Sequence, residues 1–161
     1  MAARVYKLGD DIDTDVILPG RYLNITDPKE LAVHCMEGID TDLGKKIKTG
    51  DVIFGGKNFG CGSSRENAPI AIKASGISAV VAESFARIFF RNSINIGLMI
   101  FECKDAVLAT EDGDEVEIDA EKGLITNKTK NLTFQTHPIP EFLQKLYAAG
   151  GLLPYIKSTK K

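Results

Sequence analysis

The chain is poor in the residues that hold metals or staple folds. Its three cysteines, Cys35, Cys61 and Cys103, are odd in number and far apart. They fit neither a disulfide framework nor a C-x-x-C metal site. An iron–sulfur cluster takes several closely spaced cysteines, so the chain has no ligand set for one and no metal site of its own is expected. Cys35 and Cys103 read as small buried hydrophobes. Cys61 lies inside a glycine turn and reads as either a packing residue or a reactive thiol. The two histidines, His34 and His137, show no ligand spacing. His34 reads as one helix residue among others, and His137 precedes Pro138 in a turn. No apolar run approaches the length of a membrane span. The start, Met1-Ala-Ala-Arg-Val, lacks the long apolar segment of a signal peptide, so a cytoplasmic protein is expected. A formal net charge of −2 gives no general attraction to nucleic acid or to a membrane. The basic pairs Lys45-Lys46 and Lys160-Lys161 read as solvated faces. No internal repeat or low-complexity segment is present.

What remains is an ordinary globular composition over 161 residues, enough for a single domain spanning 1–161 with its own core. Val5 to Leu8 reads as a short strand. Gly9 to Pro19, rich in Asp, reads as an ordered loop; its acidic residues lack the glycine and terminal acid of a calcium-binding EF-hand loop. Arg21 to Asp27 is irregular. Asp27-Pro28 is an N-cap followed by a first-turn proline, predicting a helix from Pro28 to about Glu37, ended by Gly38. Thr41 to Gly50 is polar and reads as mobile. Asp51 to Phe54 is an apolar run. Beyond residue 69 the pattern alternates. A helix is predicted to Ser75 with Gly76 as its cap, a buried strand over Ser78–Ala82, a helix from a Ser84 cap through Arg91, and a buried strand over Leu98–Phe101. Such alternation implies parallel strands flanked by helices. Asp114–Asp119 then alternates charged and apolar residues, as a half-exposed strand does, with short partners at Leu124–Thr126 and Leu132–Phe134. Pro140 opens a final helix to about Ala149, stopped by Gly150-Gly151, and a flexible C-terminal tail follows. The residues alone predict an α/β fold with an added antiparallel section.

The chain is organised around Gly55–Pro69, GGKNFGCGSSRENAP. A strand, a glycine-rich turn and a helix start make an anion site. Glycines let the backbone approach closely, while free N–H groups and the helix dipole favour negative charge. Ser63, Ser64 and Arg65 sit at this turn, and Arg can grip a carboxylate with two parallel bonds. The same residues could be structural, because Ser63-x-x-Glu66 fits a capping box. Pro69 opposes that reading, since it would fall in the second turn of such a helix and crowd the carbonyl of Arg65. Either the helix starts nearer Asn67 or its first turn is distorted. No Gly-Lys-Ser/Thr follows the glycines, so this is not a P-loop.

GKNFGCGSSRE resembles the signature of the swivelling domain of the aconitase superfamily. Asp13-Thr-Asp15 with Ile17-Leu-Pro19, Arg21-Tyr-Leu23, Glu83–Ile88, Arg91-Asn92, Asn95-Ile-Gly97 and Gly150–Tyr155 agree with it, in order and nearly end to end. Within the superfamily the chain is most similar to the small subunits of the isopropylmalate dehydratase and homoaconitase group. It departs from many of them in carrying Asn67 where they have His. The resemblance implies a three-layer β/β/α swivelling fold of the aconitase C-terminal type.

It also implies an activity. A large subunit would be the partner and would hold a [4Fe-4S] cluster whose open iron takes the leaving hydroxyl. The substrate would be a small hydroxy di- or tricarboxylic acid. By the same resemblance Ser63 is the catalytic base, Ser64 and Arg65 bind substrate carboxylates, and Asp15, Gly62 and Glu66 support them. Helix-terminal N–H groups and Arg65 could stabilise the alkoxide that so weak a base requires. The expected reaction is dehydration and rehydration, interconverting 2-isopropylmalate and 3-isopropylmalate in leucine biosynthesis. Homoaconitase, dimethylmalate dehydratase and citramalate-type activities are the alternatives within the group. A stand-alone anion- or phosphate-binding module is the alternative of another class. A specificity loop is expected around residues 21–27, with Asn24, Ile25 and Thr26 facing the variable group of the substrate. Homoaconitase-like chains often place Arg there, whereas this chain has no cation, so alkyl-substituted malates are expected to be preferred. Asn24 could instead merely shape the turn, with Ile25 packing inward.

Overall fold

The structure is a computed structural model that describes residues 3–63 and 65–159. Its spine is one seven-stranded sheet. The strands are β1 (Ala3–Lys7), β2 (Val52–Gly55), β3 (Ala79–Ala82), β4 (Met99–Glu102), β5 (Glu115–Asp119), β6 (Leu124–Asn127) and β7 (Leu132–Gln135), in the order β4-β3-β2-β1-β5-β6-β7. From β4 to β1 every pairing is parallel; from β1 to β7 every pairing is antiparallel. The sequence signals the difference. β2 and β3 are wholly buried and read as unbroken apolar runs, as parallel strands covered on both faces must. β5 alternates, with Val116 buried and Glu115 exposed.

The period of two divides the parallel strands between two cores. Tyr6, Ile53, Val80 and Ile100 face a helical layer, where they meet Ile17, Leu31, Ala68, Ile72 and Phe89. Val5, Val52, Phe54, Val81 and Phe101 face the other way and meet Val116 and Ile125 of the antiparallel half. The sheet therefore curls over itself. The two edges come together where the Thr136 hydroxyl donates to the Glu102 carbonyl at 2.9 Å. The result is the three-layer β/β/α arrangement.

The helices are α1 (Thr14–Ile17), α2 (Pro28–Val33), α3 (Leu43–Lys46), α4 (Asn67–Ala74), α5 (Arg87–Asn95), α6 (Lys104–Ala109), α7 (Glu141–Ala149) and α8 (Leu152–Thr159). Several depart from the sequence reading. The 9–19 loop contains α1, capped by the Asp13 carboxylate on Val16 N–H. The helix from Pro28 stops at Val33, short of Glu37. Beyond it Cys35 and Met36 turn into the core, and Met36 N–H donates to the Ile17 carbonyl. Burial of Met36 at φ 60° competes with helix continuation and wins. The polar 41–50 segment carries α3, which buries Leu43 and Ile47. Ser84 caps no helix; α5 begins at Arg87 after Ala86, and the Ser84 hydroxyl accepts from Asn58 N–H instead. α6 and α8 were not foreseen, and the tail after Gly150-Gly151 is helical from Leu152 to Thr159. Two predictions hold closely: Asp27 caps α2 through Lys29 N–H, and Gly150, at φ 95°, ends α7 in the left-handed conformation.

Candidate active site

Because β1, β2 and β3 are parallel, their C-terminal ends lie along one rim. In open α/β sheets that rim is where ligands bind. Three connections meet there, and backbone bonds fasten them together. Gly56 N–H donates to the Gly9 carbonyl, Gly60 N–H to Ile12, Thr14 N–H to Cys61, and Phe59 N–H to Ser84. Gly60 is required twice over. It sits at φ 82°, and a Cβ would fall 2.1 Å from Cγ of Phe89. Gly56 has a similar role toward Asp10, whose carboxylate also accepts from Lys57 N–H at 2.7 Å.

From this frame the chain turns outward at Gly62 (φ 97°) to Ser63, whose side chain is exposed. The buried Thr14 hydroxyl lies 3.3 Å from Ser63 Oγ and 3.2 Å from its carbonyl oxygen. Arg65 follows. Its Nη1 donates to Asp15 Oδ1 at 2.8 Å and reaches the Leu18 carbonyl at 3.4 Å. Asp15 Oδ1 also accepts from Gly20 N–H at 3.0 Å. The Arg65 guanidinium and the Gly20 amide together hold the Asp15 carboxyl below its usual range. Ser64 lies outside the described residues.

The capping box is not formed. Glu66 is the N-cap of α4, already helical in φ and ψ, and among the described residues its helix has no side-chain cap bond. Pro69 then falls in the first turn, where a missing N–H costs nothing. This frees Ser63 from a structural duty and sets it, with Arg65, just before the positive end of α4. Glu66 is exposed there. Cys61 is half-buried, and its thiol is pushed up by burial first and then by Asp13 and Asp11. A thiol raised in this way yields less thiolate, which favours the packing reading of Cys61.

The 21–27 segment borders this corner. It starts with a 3₁₀ turn, Gly20–Tyr22, and Asn67 Nδ2 donates to the Leu23 carbonyl at 3.3 Å. Asn24 and Thr26 are exposed and bond to none of the corner residues among those described, whereas Ile25 is half-buried against the helix-side core. Two features escaped the sequence reading. Thr14 was visible only as the middle of Asp13-Thr-Asp15. Glu37 was assigned to the end of a helix, yet its carboxylate gathers Arg21, Tyr22 and His34, and the Tyr22 hydroxyl and His34 bring its carboxyl down to about 2. The His34–Glu37 spacing of three was the available signal.

Residues 42–106 match the family model described as the aconitase C-terminal domain. The 3-isopropylmalate dehydratase small subunit of Brachyspira hyodysenteriae is 62% identical, over 97% of this chain and 96% of its own length. The 2,3-dimethylmalate dehydratase small subunit of Eubacterium barkeri is 60% identical, over 98% and 96%. A crystal structure of 3-isopropylmalate dehydratase from Methanocaldococcus jannaschii superposes with a TM-score of 0.92 at 53% identity, over 99% of this chain and 94% of the other. With identities this high along nearly the whole chain, and with the fold matching as well, the chain belongs to the family of 3-isopropylmalate dehydratase small subunits of the aconitase superfamily.

Proposed function

We propose that this chain carries the proton-transferring and carboxylate-holding half of a hydro-lyase, and that its substrate is an alkyl-substituted malate, 2-isopropylmalate interconverting with 3-isopropylmalate. The observation that carries the reading is the corner itself: an exposed Ser63 hydroxyl beside Arg65, whose guanidinium is aimed by Asp15. Dehydration needs a base for a weakly acidic proton next to a carboxylate. Ser63 Oγ takes that proton as alkoxide and returns it on rehydration at the neighbouring carbon. Arg65 and the N-terminus of α4 lower the cost of the alkoxide. Arg65 also grips a substrate carboxylate, with Ser64 as a second contact, while Gly62 and Glu66 shape the turn. The Thr14 hydroxyl is placed to steady Ser63.

The chain's own donors do not suit an iron–sulfur cluster. Cys35 and Cys103 lie in different cores, and burial pushes the Cys35 thiol up to about 12. No group of His, Cys, Asp or Glu fit to hold a metal occurs among the described residues. By the family resemblance, a [4Fe-4S] cluster on the large subunit would supply the electrophile for the departing hydroxide. Among the described residues no helix is long and apolar enough to cross a membrane.

Substrate choice is placed in residues 21–27. Asn24 and Thr26 present no cation to a third carboxylate, which would be left poorly compensated. An alkyl group gains about 0.8 kcal/mol per CH₂ buried against the exposed part of Ile25. 2,3-Dimethylmalate is the second reading, favoured by the 60% identity to that enzyme's small subunit. The test is Ser63→Ala in the complex reconstituted with its large subunit. Turnover is expected to fall by about 10² to 10⁴ with assembly unchanged. Near-normal turnover would return Ser63 to a purely structural role.

A further inference from the structure

The segment that borders the site has little to hold it in place. Its regular structure is one 3₁₀ turn, Gly20–Tyr22, and Leu23, Asn24 and Thr26 are all exposed. Its own backbone bonds, Tyr22 N–H to Pro19, Leu23 N–H to Gly20 and Ile25 N–H to Tyr22, are all local, so its placement depends on the packing of Tyr22 and Ile25 against the helix-side core and on polar anchors. Two anchors are at the site itself, Asp15 on Gly20 N–H and Asn67 on the Leu23 carbonyl. The third comes from outside it. Glu37, in the turn beyond α2, has a side chain only 12% exposed. Its Oε1 accepts from the Tyr22 hydroxyl at 2.5 Å and from Arg21 Nη2 at 3.1 Å. Its Oε2 pairs with His34 Nδ1 at 2.6 Å. The Tyr22 ring stacks on His34, centroids 3.7 Å apart, and the Arg21 guanidinium lies 4.8 Å from the Tyr22 ring centre. One carboxylate thus fixes two successive side chains of the loop.

Those two residues stand between the chemistry and the selection. On one side is Gly20, so close to the corner that a Cβ there would lie 3.5 Å from Arg65 Nη2 and 3.6 Å from Asp15 Oδ1. On the other side are Leu23 and Asn24. We infer that Glu37 is a positioning residue for substrate selection, holding Arg21 and Tyr22 so that the 23–26 backbone meets the variable group of the substrate in one register. This rests on the reading that residues 21–27 select the substrate. Small misplacements of a positioned group lose specificity far more readily than they lose fold.

The experiment uses the cluster-loaded complex with the large subunit. It measures kcat/KM for isopropylmalate and for homoisocitrate in wild type, Glu37→Ala, Glu37→Gln, Tyr22→Phe, Asn24→Arg and Asn24→Arg combined with Glu37→Ala. Glu37→Ala is expected to lower the isopropylmalate preference about tenfold, chiefly through KM. Glu37→Gln, which keeps an acceptor for Tyr22, restores part of it. Tyr22→Phe moves the ratio the same way by less, and keeps the proposal testable if Glu37→Ala fails to fold. Asn24→Arg shifts preference toward the tricarboxylate, and that shift shrinks in the double variant because the two sites are coupled. If Asn24→Arg moves the ratio while the Glu37 and Tyr22 variants leave it at the wild-type value, the inference is overturned and the selecting loop stands. The same holds if those variants lower both substrates equally. If Asn24→Arg moves nothing, the loop does not select and both ideas fail together.

Discussion

The Ser63–Glu66 corner and the polar cluster around Asp114 and Asn127 use similar chemical groups to opposite ends. In the cluster Asp114, Asn127 and Thr110 are buried. Asp114 Oδ2 accepts from Glu111 N–H and from Asn127 Nδ2, each at 2.9 Å, with Lys130 Nζ at 3.7 Å. Asn127 also donates to the Thr110 hydroxyl and accepts from Lys130 N–H. Asn127 is fully buried and Asp114 nearly so. Such a network stabilises because no polar group is left without a partner. At the corner the backbone is fastened and the side chains are bonded only in part. Among the described residues Ser63 Oγ has one weak hydroxyl neighbour and faces solvent, and Arg65 bonds through Nη1 while Nη2 has no hydrogen bond. The molecule leaves bonding capacity open at the corner proposed to meet a ligand and closes it where a hairpin must be held.

Substitutions can separate the two kinds of site. The largest effect on stability is expected from Gly60→Ala, which attacks the frame under the corner. Left-handed backbone costs a Cβ-bearing residue about 1–2 kcal/mol, and overpacking against Phe89 adds about 1–3 kcal/mol. Urea unfolding of the chain should show a loss of about 3 kcal/mol; an unchanged midpoint would mean that the turn is not held as described.

Asp114→Ala comes next. It leaves the buried Asn127 amide and Glu111 N–H short of an acceptor, at about 2 kcal/mol, with turnover of the assembled complex unchanged. Its pH signature follows from the carboxyl being held below its ordinary range, first by Glu111 N–H and then by Asn127. The stabilisation is complete above the unfolded-state value of about 3.9 and disappears as pH falls through the lower folded value. Acid unfolding of Asp114→Ala should therefore be less steep than that of wild type below about pH 4. Parallel acid curves would remove Asp114 from the account.

The smallest effect on stability, and the most specific one on function, belongs to Arg65→Lys. The melting temperature should stay close to wild type, because Asp15 is largely exposed and an exposed pair contributes little. KM should rise about tenfold, since Lys cannot reproduce a two-pronged carboxylate contact. A large fall in melting temperature with unchanged KM would make the corner resemble the Asp114 cluster after all.

The reasons these regions were unequally legible are physical. Signals confined to a few neighbouring residues were readable. Asp27-Pro28 starts a helix, Gly150 ends one, the apolar runs 51–54 and 78–82 mark parallel strands, and the alternation at 114–119 marks an antiparallel one. At Ser63-x-x-Glu66 two local signals compete, and the one from Pro69 points to the helix start near Asn67 that the structure has. The local box was satisfied on paper, but Pro69 belongs in a first turn and moved the helix start to Asn67. The extent of α2 was misjudged because Met36 is drawn into a core that the local sequence does not reveal.

The parallel and antiparallel strand patterns, the helix start at Asp27-Pro28, the glycine turn and the motif that marks the family are legible in the sequence, because each depends on backbone preferences or on residues adjacent in the chain. Which polar groups meet is set by the fold. Thr14 and Ser63 are 49 residues apart, Asp15 and Arg65 are 50 apart, and Glu37 reaches back 15 residues to Tyr22. No local preference brings such pairs together. They meet because parallel strands deliver their loops to one rim, and because burying Met36 turns the chain after α2 back toward the loop it anchors.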